Sequence, residues 1–289
     1  MTVCGKAFAK LNLALDVVGK TENGYHEISS VFQSVSLCDE ITVESASDIS
    51  VSCGDDSSLQ NEDNLCFSAA KLFYEKLKKG GGAHITIKKN IPVSAGLGGG
   101  STDAAAVLKM LNTVNGNPLC KKELSEIALQ LGADVPFCLD GGTALAGGVG
   151  EKLKSINRGF DYDVIIIMHG KKSSTGELYS RLDNKVFDRG GKSIAAVAAA
   201  IEQGNSESFC CNLYNAFEAV WGDGITPQKQ RLFDSGAKAA VLSGSGPSVF
   251  GIFEKGQSKV AANSIKKYFE NVYVCRPVDM GNEFSVSVR

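Results

Sequence analysis

The sequence predicts an α+β chain built as two layered halves, and three observations carry this reading. Short runs of alternating apolar residues recur along the whole length, and stretches with apolar residues at three- and four-residue spacing fall between them. A glycine cluster from Gly141 to Gly150 then interrupts the pattern, with a boundary near residues 150–160. At 289 residues, against about 150 per domain, two domains are expected, residues 1–155 and residues 156–289.

In the first half, Phe8 to Val17, Ser30 to Leu37 and Ile41 to Ser45 read as strands. A helix is expected from Asn64 to Lys79, where Leu65, Ala69, Leu72, Phe73 and Leu77 form one apolar stripe and Gly80 suits the stop. His84 to Lys88 alternates as a strand and leads into Pro92-Val93-Ser94-Ala95-Gly96-Leu97-Gly98-Gly99-Gly100-Ser101-Thr102. Beyond it Ala104, Val107, Leu108 and Leu111 recur at helical spacing, with Ser101 as the expected N-cap and Asp103 in the first turn. Another helix is expected from Lys121 to Leu131, closed by Gly132.

The second half opens with Tyr162 to Met168, a strand apolar enough to be buried on both faces. Helices are expected at Ser193 to Gln203, Asn212 to Val220 and Pro227 to Asp234. Ala239 to Ser243 and Ser248 to Phe253 are strand-like runs around Gly244-Ser245-Gly246-Pro247. A helix near Ser258 to Phe269 and strands at Val272 to Arg276 and Phe284 to Val288 complete the pattern.

Four glycines within five positions, between a strand and an alanine-rich helix, make a polyphosphate cradle. Such a loop leaves backbone N–H groups uncovered, and the helix adds its unpaired N–H groups and positive dipole end. A flexible turn is the plain alternative, which the ordered flanks weaken. A Walker loop would carry Lys and Ser/Thr after its final glycine, and a Rossmann fingerprint would carry glycine at Ser101. His-Arg-Asp and Asp-Phe-Gly triplets, the marks of protein kinases, do not occur.

Composition sets the context. With 43% hydrophobic and 21% charged residues the chain has the make-up of a soluble globular protein, and a formal charge of −2 argues against nucleic acid as the main partner. Nine cysteines without a Cys-x-x-Cys pair read as buried small side chains in a reducing compartment rather than a metal knuckle or a disulfide framework. No signal core and no membrane-length apolar run is present, so a cytoplasmic protein with no membrane partner is expected.

Three polar groups stand out. On the first strand Lys10 and Asn12 share a face, about 6.6 to 6.8 Å apart at Cα, close enough to reach one ligand; a solvated face is the alternative. Asp134, in Gly132-Ala133-Asp134-Val135-Pro136, is either a reactive carboxylate or the cap of a short helix. Asn23-Gly24-Tyr25-His26 is a tight turn presenting an aromatic ring and an imidazole, for a ligand or for packing.

The order and wording of these segments resemble the GHMP kinases, the family of galactokinase and of homoserine, mevalonate and phosphomevalonate kinases. The resemblance spans almost the entire chain and rests on Ala9-Lys10-Leu11-Asn12-Leu13, Asn23-Gly24-Tyr25-His26, the loop and helix from Pro92 to Ala106, Gly132-Ala133-Asp134-Val135-Pro136, and Leu242 to Phe250. The first, second and fourth point to a branch that phosphorylates the 2-hydroxyl of a cytidine diphosphate-linked methylerythritol in the non-mevalonate isoprenoid route. The other two mark only the kinase class. A member acting on another small alcohol, such as homoserine or a sugar, and a non-catalytic nucleotide-binding regulator are the alternatives.

The resemblance implies an N-terminal α/β domain with a left-handed-crossover type of ATP loop, a C-terminal ferredoxin-like domain, and an active site in the cleft between them. It implies ATP and Mg²⁺ as cofactors, with Lys10 and Asp134 catalytic. Residues Pro92 to Thr102 would hold the donor phosphates, with Asn64 near the adenine. Asn12 would position the substrate, Tyr25 and Tyr179 would sandwich the cytosine, and His26 and Thr175 would add polar contacts. For Mg²⁺ the sequence offers the hydroxyls of Ser101 and Thr102 and no carboxylate beyond Asp134, so water and phosphate are expected to fill much of the shell.

Overall fold

Two long strands form the spine of the first half of this computed structural model, which describes residues 1–54, 61–171, 174–183 and 189–287. Strand β1 (Thr2–Lys20) and strand β2 (His26–Ala46) pair antiparallel from Thr2↔Glu44 to Lys20↔His26. The sequence reading breaks β2 between Leu37 and Ile41, whereas the structure carries it straight through, with Cys38, Asp39 and Glu40 opposite Phe8, Ala7 and Lys6. A polar residue is tolerated there because the buried Asp39 carboxylate accepts the backbone N–H groups of Asn90 and Ile91, at 2.6 and 2.8 Å.

Register shifts between Phe8 and Lys10, Asn12 and Ala14, and Val17 and Gly19 bend this hairpin. Each end therefore collects different neighbours. One end carries β3 (Ser50–Ser52) and β4 (Gly82–Lys88) beyond β2, and β12 (Asn282–Ser287) on β1. The other carries β5 (Thr143–Gly147) and β6 (Lys152–Ser155) on the β2 side and the two-residue β8 (Tyr214–Asn215) on β1.

Helices α1 (Leu65–Leu77), α2 (Gly99–Val114), α3 (Lys121–Leu131) and α4 (Val135–Asp140) cover this sheet. The alanine run of α2 makes it slender, so it lies between the sheet and the other helices with Ala104 to Leu108, Met110 and Leu111 all buried. Ser101 does not cap α2. The helix begins three residues earlier, at Gly99, with Gly98 in the cap position at φ +69°, which glycine adopts freely.

The second sheet contains β7 (Asp163–Met168), β9 (Ala239–Leu242), β10 (Ser248–Phe253) and β11 (Val272–Cys275) in the order β11-β7-β10-β9, all antiparallel. Counting along the chain this is the order 4-1-3-2 of a ferredoxin-like β-α-β-β-α-β unit. Between β7 and β9 run α5 (Thr175–Leu182), α6 (Ile194–Glu202), α7 (Ser206–Asn212), α8 (Glu218–Trp221) and α9 (Thr226–Asp234), and α10 (Ser258–Ile265) joins β10 to β11. The helix expected from Asn212 to Val220 does not form. There α7 stops at Asn212, Tyr214 and Asn215 pair parallel with Ala14 and Leu15, and α8 follows.

The two sheets are tied together by buried Gln33 on β2. Its Nε2, with two hydrogens, shares them among the carbonyls of Ser34, Gly142 and Val278 at 2.8, 3.2 and 3.1 Å, and its Oε1 accepts from the hydroxyls of Thr143 and Tyr162 at 2.6 and 3.4 Å. All nine cysteines are free thiols, and no helix among the described residues is long and apolar enough to cross a membrane. Gln33→Leu keeps the volume and strands these partners, so it is expected to cost about 3 kcal/mol of stability. Urea unfolding measures this directly, and an unchanged midpoint would refute the role.

Candidate active site

The bulged stretch of β1 turns Lys10 and Asn12 into the interior, where they are 4% and 2% exposed. Lys10 Nζ donates to Asn12 Oδ1 at 2.9 Å, pairs with Asp134 Oδ2 at 3.1 Å and lies 4.6 Å from the centroid of the Phe32 ring. The alternative of a solvated face is therefore excluded, and an ammonium is held by an amide, a carboxylate and an aromatic face. The orientation of Asn12 is dictated from behind. Ser30 Oγ donates to the Ala14 carbonyl at 2.6 Å and so accepts from Asn12 Nδ2 at 3.0 Å, which leaves Oδ1 for Lys10. Each end of the Asn12 amide thus has one protein partner, and the residue orients Lys10.

Asp134 occupies the N-cap position of α4, yet its side chain makes no capping bond and turns to Lys10 instead. It is 35% exposed while Lys10 is 5% exposed, so the carboxylate faces the cleft with the cation behind it.

The glycine-rich loop lies over this pair. Its carbonyls point into the protein in sequence: Ala95 accepts from Ser248 N at 3.3 Å, Gly96 from Ser243 Oγ at 3.0 Å, Leu97 from Lys10 N at 2.9 Å, and Gly98 from Thr102 N at 2.9 Å. Among the described residues, none of the N–H groups from Gly96 to Ser101 finds a protein acceptor. With its oxygens anchored, the loop offers its N–H edge together with the first turn of α2, which is what an anion needs. Gly96 has φ +79°, and a Cβ there would stand 2.4 Å from the Ser243 carbonyl oxygen; at Gly98 a Cβ would stand 2.8 Å from Lys10 Cγ. Thr102 leaves the candidate set. It is fully buried, and its hydroxyl donates to the Phe8 carbonyl at 2.8 Å. Ser101 remains half-buried in the first turn, and Asn64 caps α1 by accepting from Cys66 N at 2.8 Å. Leu65, next in sequence, lies 3.5 Å from where a Cβ on Gly100 would stand.

On the other side of Asp134 the β1–β2 turn brings up Tyr25 and His26. Tyr25 is 69% exposed and has no ring partner among the described residues. Tyr179 does not face it; it stacks on His26, with centroids 4.4 Å apart and planes 19° apart. Burial, and then the charge of Asp134, push the Tyr179 phenol up to about 12. Thr175 approaches the second glycine loop, 3.4 Å from Ser245 Oγ.

Several site residues lie outside the sequence expectation. Asn215 holds the loop after β9 by donating to the carbonyls of Leu242 and Gly244, at 2.8 and 2.9 Å, and Trp221 Nε1 donates to the Ser245 carbonyl at 3.0 Å. Asp183 pairs with His26 Nε2 and Lys20 Nζ, each at 2.7 Å. Under the start of α2, Lys89 is clamped between Asp39 and Asp103, the latter at 2.8 Å. Burial holds the Asp103 carboxyl well above the usual range, and Lys89 is raised by both carboxylates although burial acts against its charge. Adjacency of Lys89 to the glycine loop was the only sequence signal for this cluster; nothing local marks Asp183. Among the described residues no group of three or more His, Cys, Asp or Glu side chains could hold a metal ion.

The chain matches the family described as GHMP kinases N terminal domain over residues 64–142 and GHMP kinases C terminal over residues 197–271. It is 37% identical over 279 residues to a Clostridium botulinum (strain Langeland) protein named 4-diphosphocytidyl-2-C-methyl-D-erythritol kinase, covering 94% of this chain and 99% of that protein. A protein of the same name from Caldicellulosiruptor bescii is 41% identical, covering 92% and 95%. A crystal structure of 4-(cytidine 5'-diphospho)-2C-methyl-D-erythritol kinase superposes with a TM-score of 0.78 at 29% identity, covering 95% of this chain and 98% of that one. The homoserine kinase of Cytophaga hutchinsonii shares the fold with a TM-score of 0.78 at 21% identity, covering 98% and 97%.

The Lys89 cluster makes a contrast that can be measured. Asp103→Asn supplies the neutral side chain that burial already favours and should change stability by less than about 1 kcal/mol. Asp39→Asn, which gives up a carboxylate bonded to two backbone N–H groups and Lys89, should cost about 3 kcal/mol. Equilibrium unfolding at neutral pH ranks the two, and the reverse order would put the persistent charge on Asp103.

Proposed function

The chain belongs to the GHMP kinase family, and on that premise we propose that it transfers the γ-phosphate of ATP to the 2-hydroxyl of 4-diphosphocytidyl-2-C-methyl-D-erythritol, in the non-mevalonate route to isoprenoid precursors. The observation that carries the chemistry is the Lys10–Asp134 pair, 3.1 Å apart, beneath a loop whose N–H edge has no protein acceptor among the described residues.

A carboxylate cannot ionise an alkanol in advance, since their ordinary pKa values lie far apart. Asp134 instead accepts the hydroxyl proton as the oxygen–phosphorus bond forms and the bond to the ADP oxygen breaks. Lys10, buried and 3.1 Å from Asp134, sets a positive charge close to the oxygen that attacks. Asn12 and Phe32 hold the ammonium in place. The loop from Pro92 to Ser101 receives the donor phosphates on its N–H edge, with Asn64 and Leu65 at the adenine end. Mg²⁺ would be carried by the phosphates and water, with Ser101 as the protein hydroxyl in position to join them, and it would neutralise phosphate charge. Residues 1–155, completed by β8 and β12, would supply this machinery, and residues 156–289 would supply the second glycine loop, Thr175 and Tyr179.

Tyr25, His26, Thr175 and Tyr179 would receive the cytidine end, Tyr25 closing from its exposed position onto a base that enters beside the His26–Tyr179 stack. On this reading the enzyme works on diffusible metabolites in the cytoplasm. Asp134→Asn is expected to lower kcat by about a hundred-fold or more while ATP still binds, and near-normal turnover would remove Asp134 as the proton acceptor. With ATP and Mg²⁺ supplied, phosphorylation of the cytidyl erythritol in preference to homoserine or galactose tests the acceptor. Preference for an acceptor lacking cytidine would overturn it.

A further inference from the structure

His26 is held on three sides. Its ring stacks on Tyr179, its Nε2 meets Asp183 Oδ1 at 2.7 Å, and the other oxygen of Asp183 meets Lys20 Nζ at 2.7 Å. The His26 side chain is 13% exposed, and its Nδ1 has no partner among the described residues. Hydrogen bonds from Lys20 and His26 hold the Asp183 carboxyl below the usual carboxylate range. An ionised carboxylate only accepts, so a neutral imidazole facing it carries its proton on Nε2 and leaves Nδ1 as a lone-pair acceptor.

We propose that Asp183 is a positioning residue that fixes His26 in the Nε2–H tautomer, so that Nδ1 accepts from the exocyclic amine of cytosine and the site rejects a base carrying oxygen at that position. The inference rests on the cytidine reading of the site. Cytosine and uracil differ at this edge by an amine donor against a carbonyl acceptor, and an acceptor on the protein pairs with the first and repels the second. A site built to bond one pattern rejects its complement because its own buried group is then left unpaired. Tyr179 keeps the ring plane fixed, and Asp183 sets which nitrogen has the proton.

Lys20 makes the device testable. In Asp183→Asn the half-exposed Lys20 ammonium repels the amide NH₂ and attracts its oxygen, so the oxygen turns to Lys20 and the NH₂ turns to His26. Nε2 must then accept, and the proton moves to Nδ1. Removing the lysine's demand in the double variant Lys20→Met with Asp183→Asn frees the amide oxygen to face His26 again and returns the proton to Nε2.

The chain has three histidines, so ¹⁵N spectra of the imidazole rings of the free protein can be assigned by single replacements. The wild type is expected to show Nε2–H, Asp183→Asn to show Nδ1–H, and the double variant to show Nε2–H again. In turnover with ATP, Asp183→Asn should raise KM for the cytidyl substrate about ten-fold, with kcat within about two-fold and KM for ATP unchanged. Its preference for the cytidyl over the corresponding uridyl compound should fall, and the double variant should recover it. An Nδ1–H or doubly protonated ring in the wild type at pH 7.5, or an unchanged base preference in Asp183→Asn, overturns the proposal. If the wild type phosphorylates neither compound, the cytidine reading fails, while the ring spectra still decide the tautomer.

Discussion

A buried ammonium is the constraint on which this molecule depends. A lysine charge at 4% exposure is costly unless every direction around it offers electron density, and each neighbour of Lys10 is placed to do so. Asn12 faces it because Ser30 leaves the amide no other orientation, Phe32 closes one side with its ring, and Asp134 supplies the counter-charge. The backbone takes part as well. Lys10 N anchors the Leu97 carbonyl, so the same residue that holds the carboxylate also fixes the glycine loop above it. Cation, carboxylate and glycine loop are therefore one assembly, and displacement of any part is transmitted to the others.

The second half contributes by bracing that assembly. Ser243 accepts from Asn12 N at 3.4 Å and donates to the Gly96 carbonyl, touching β1 and the glycine loop at once. Asn215 fixes the turn that presents Ser243, and it can do so because the short β8 is added to β1. β1, the glycine loop and the loop after β9 are thus joined through the Ser243 hydroxyl and the Asn215 amide.

Legibility followed the range of the interactions. The helices α1, α3 and α9 and the strand pair β9–β10 were plain in the sequence because their apolar spacing is local. The glycine loop, Lys10, Asp134 and the His26 turn were visible for a similar reason, since each is a short stretch whose chemistry or wording stands alone. What failed to show was long-range. Asp39 keeps β2 continuous only because Lys89 and two backbone N–H groups arrive from another strand end, and the span after Asn212 forgoes a helix only because β1 offers Tyr214 and Asn215 an edge. The bond from Asn12 to Ser30, which fixes the amide toward Lys10, also joins two strands. Thr102 looked like a phosphate ligand until its hydroxyl was found bonded to Phe8. Asp183 has no local mark, because its meaning lies in Lys20 and His26, far away in sequence.

The pairing of β12 with β1 has a consequence for the birth of the molecule. Thr2 lies opposite Ser287 and Ala7 opposite Asn282, so the first sheet holds a contact spanning almost the whole chain. During synthesis β1 emerges early and β12 late, and until then one edge of the spine hairpin is an open row of hydrogen-bonding groups. Closure of so distant a pair is slow relative to local folding. Until β12 is made, the first residues of β1 have β2 as their strand partner.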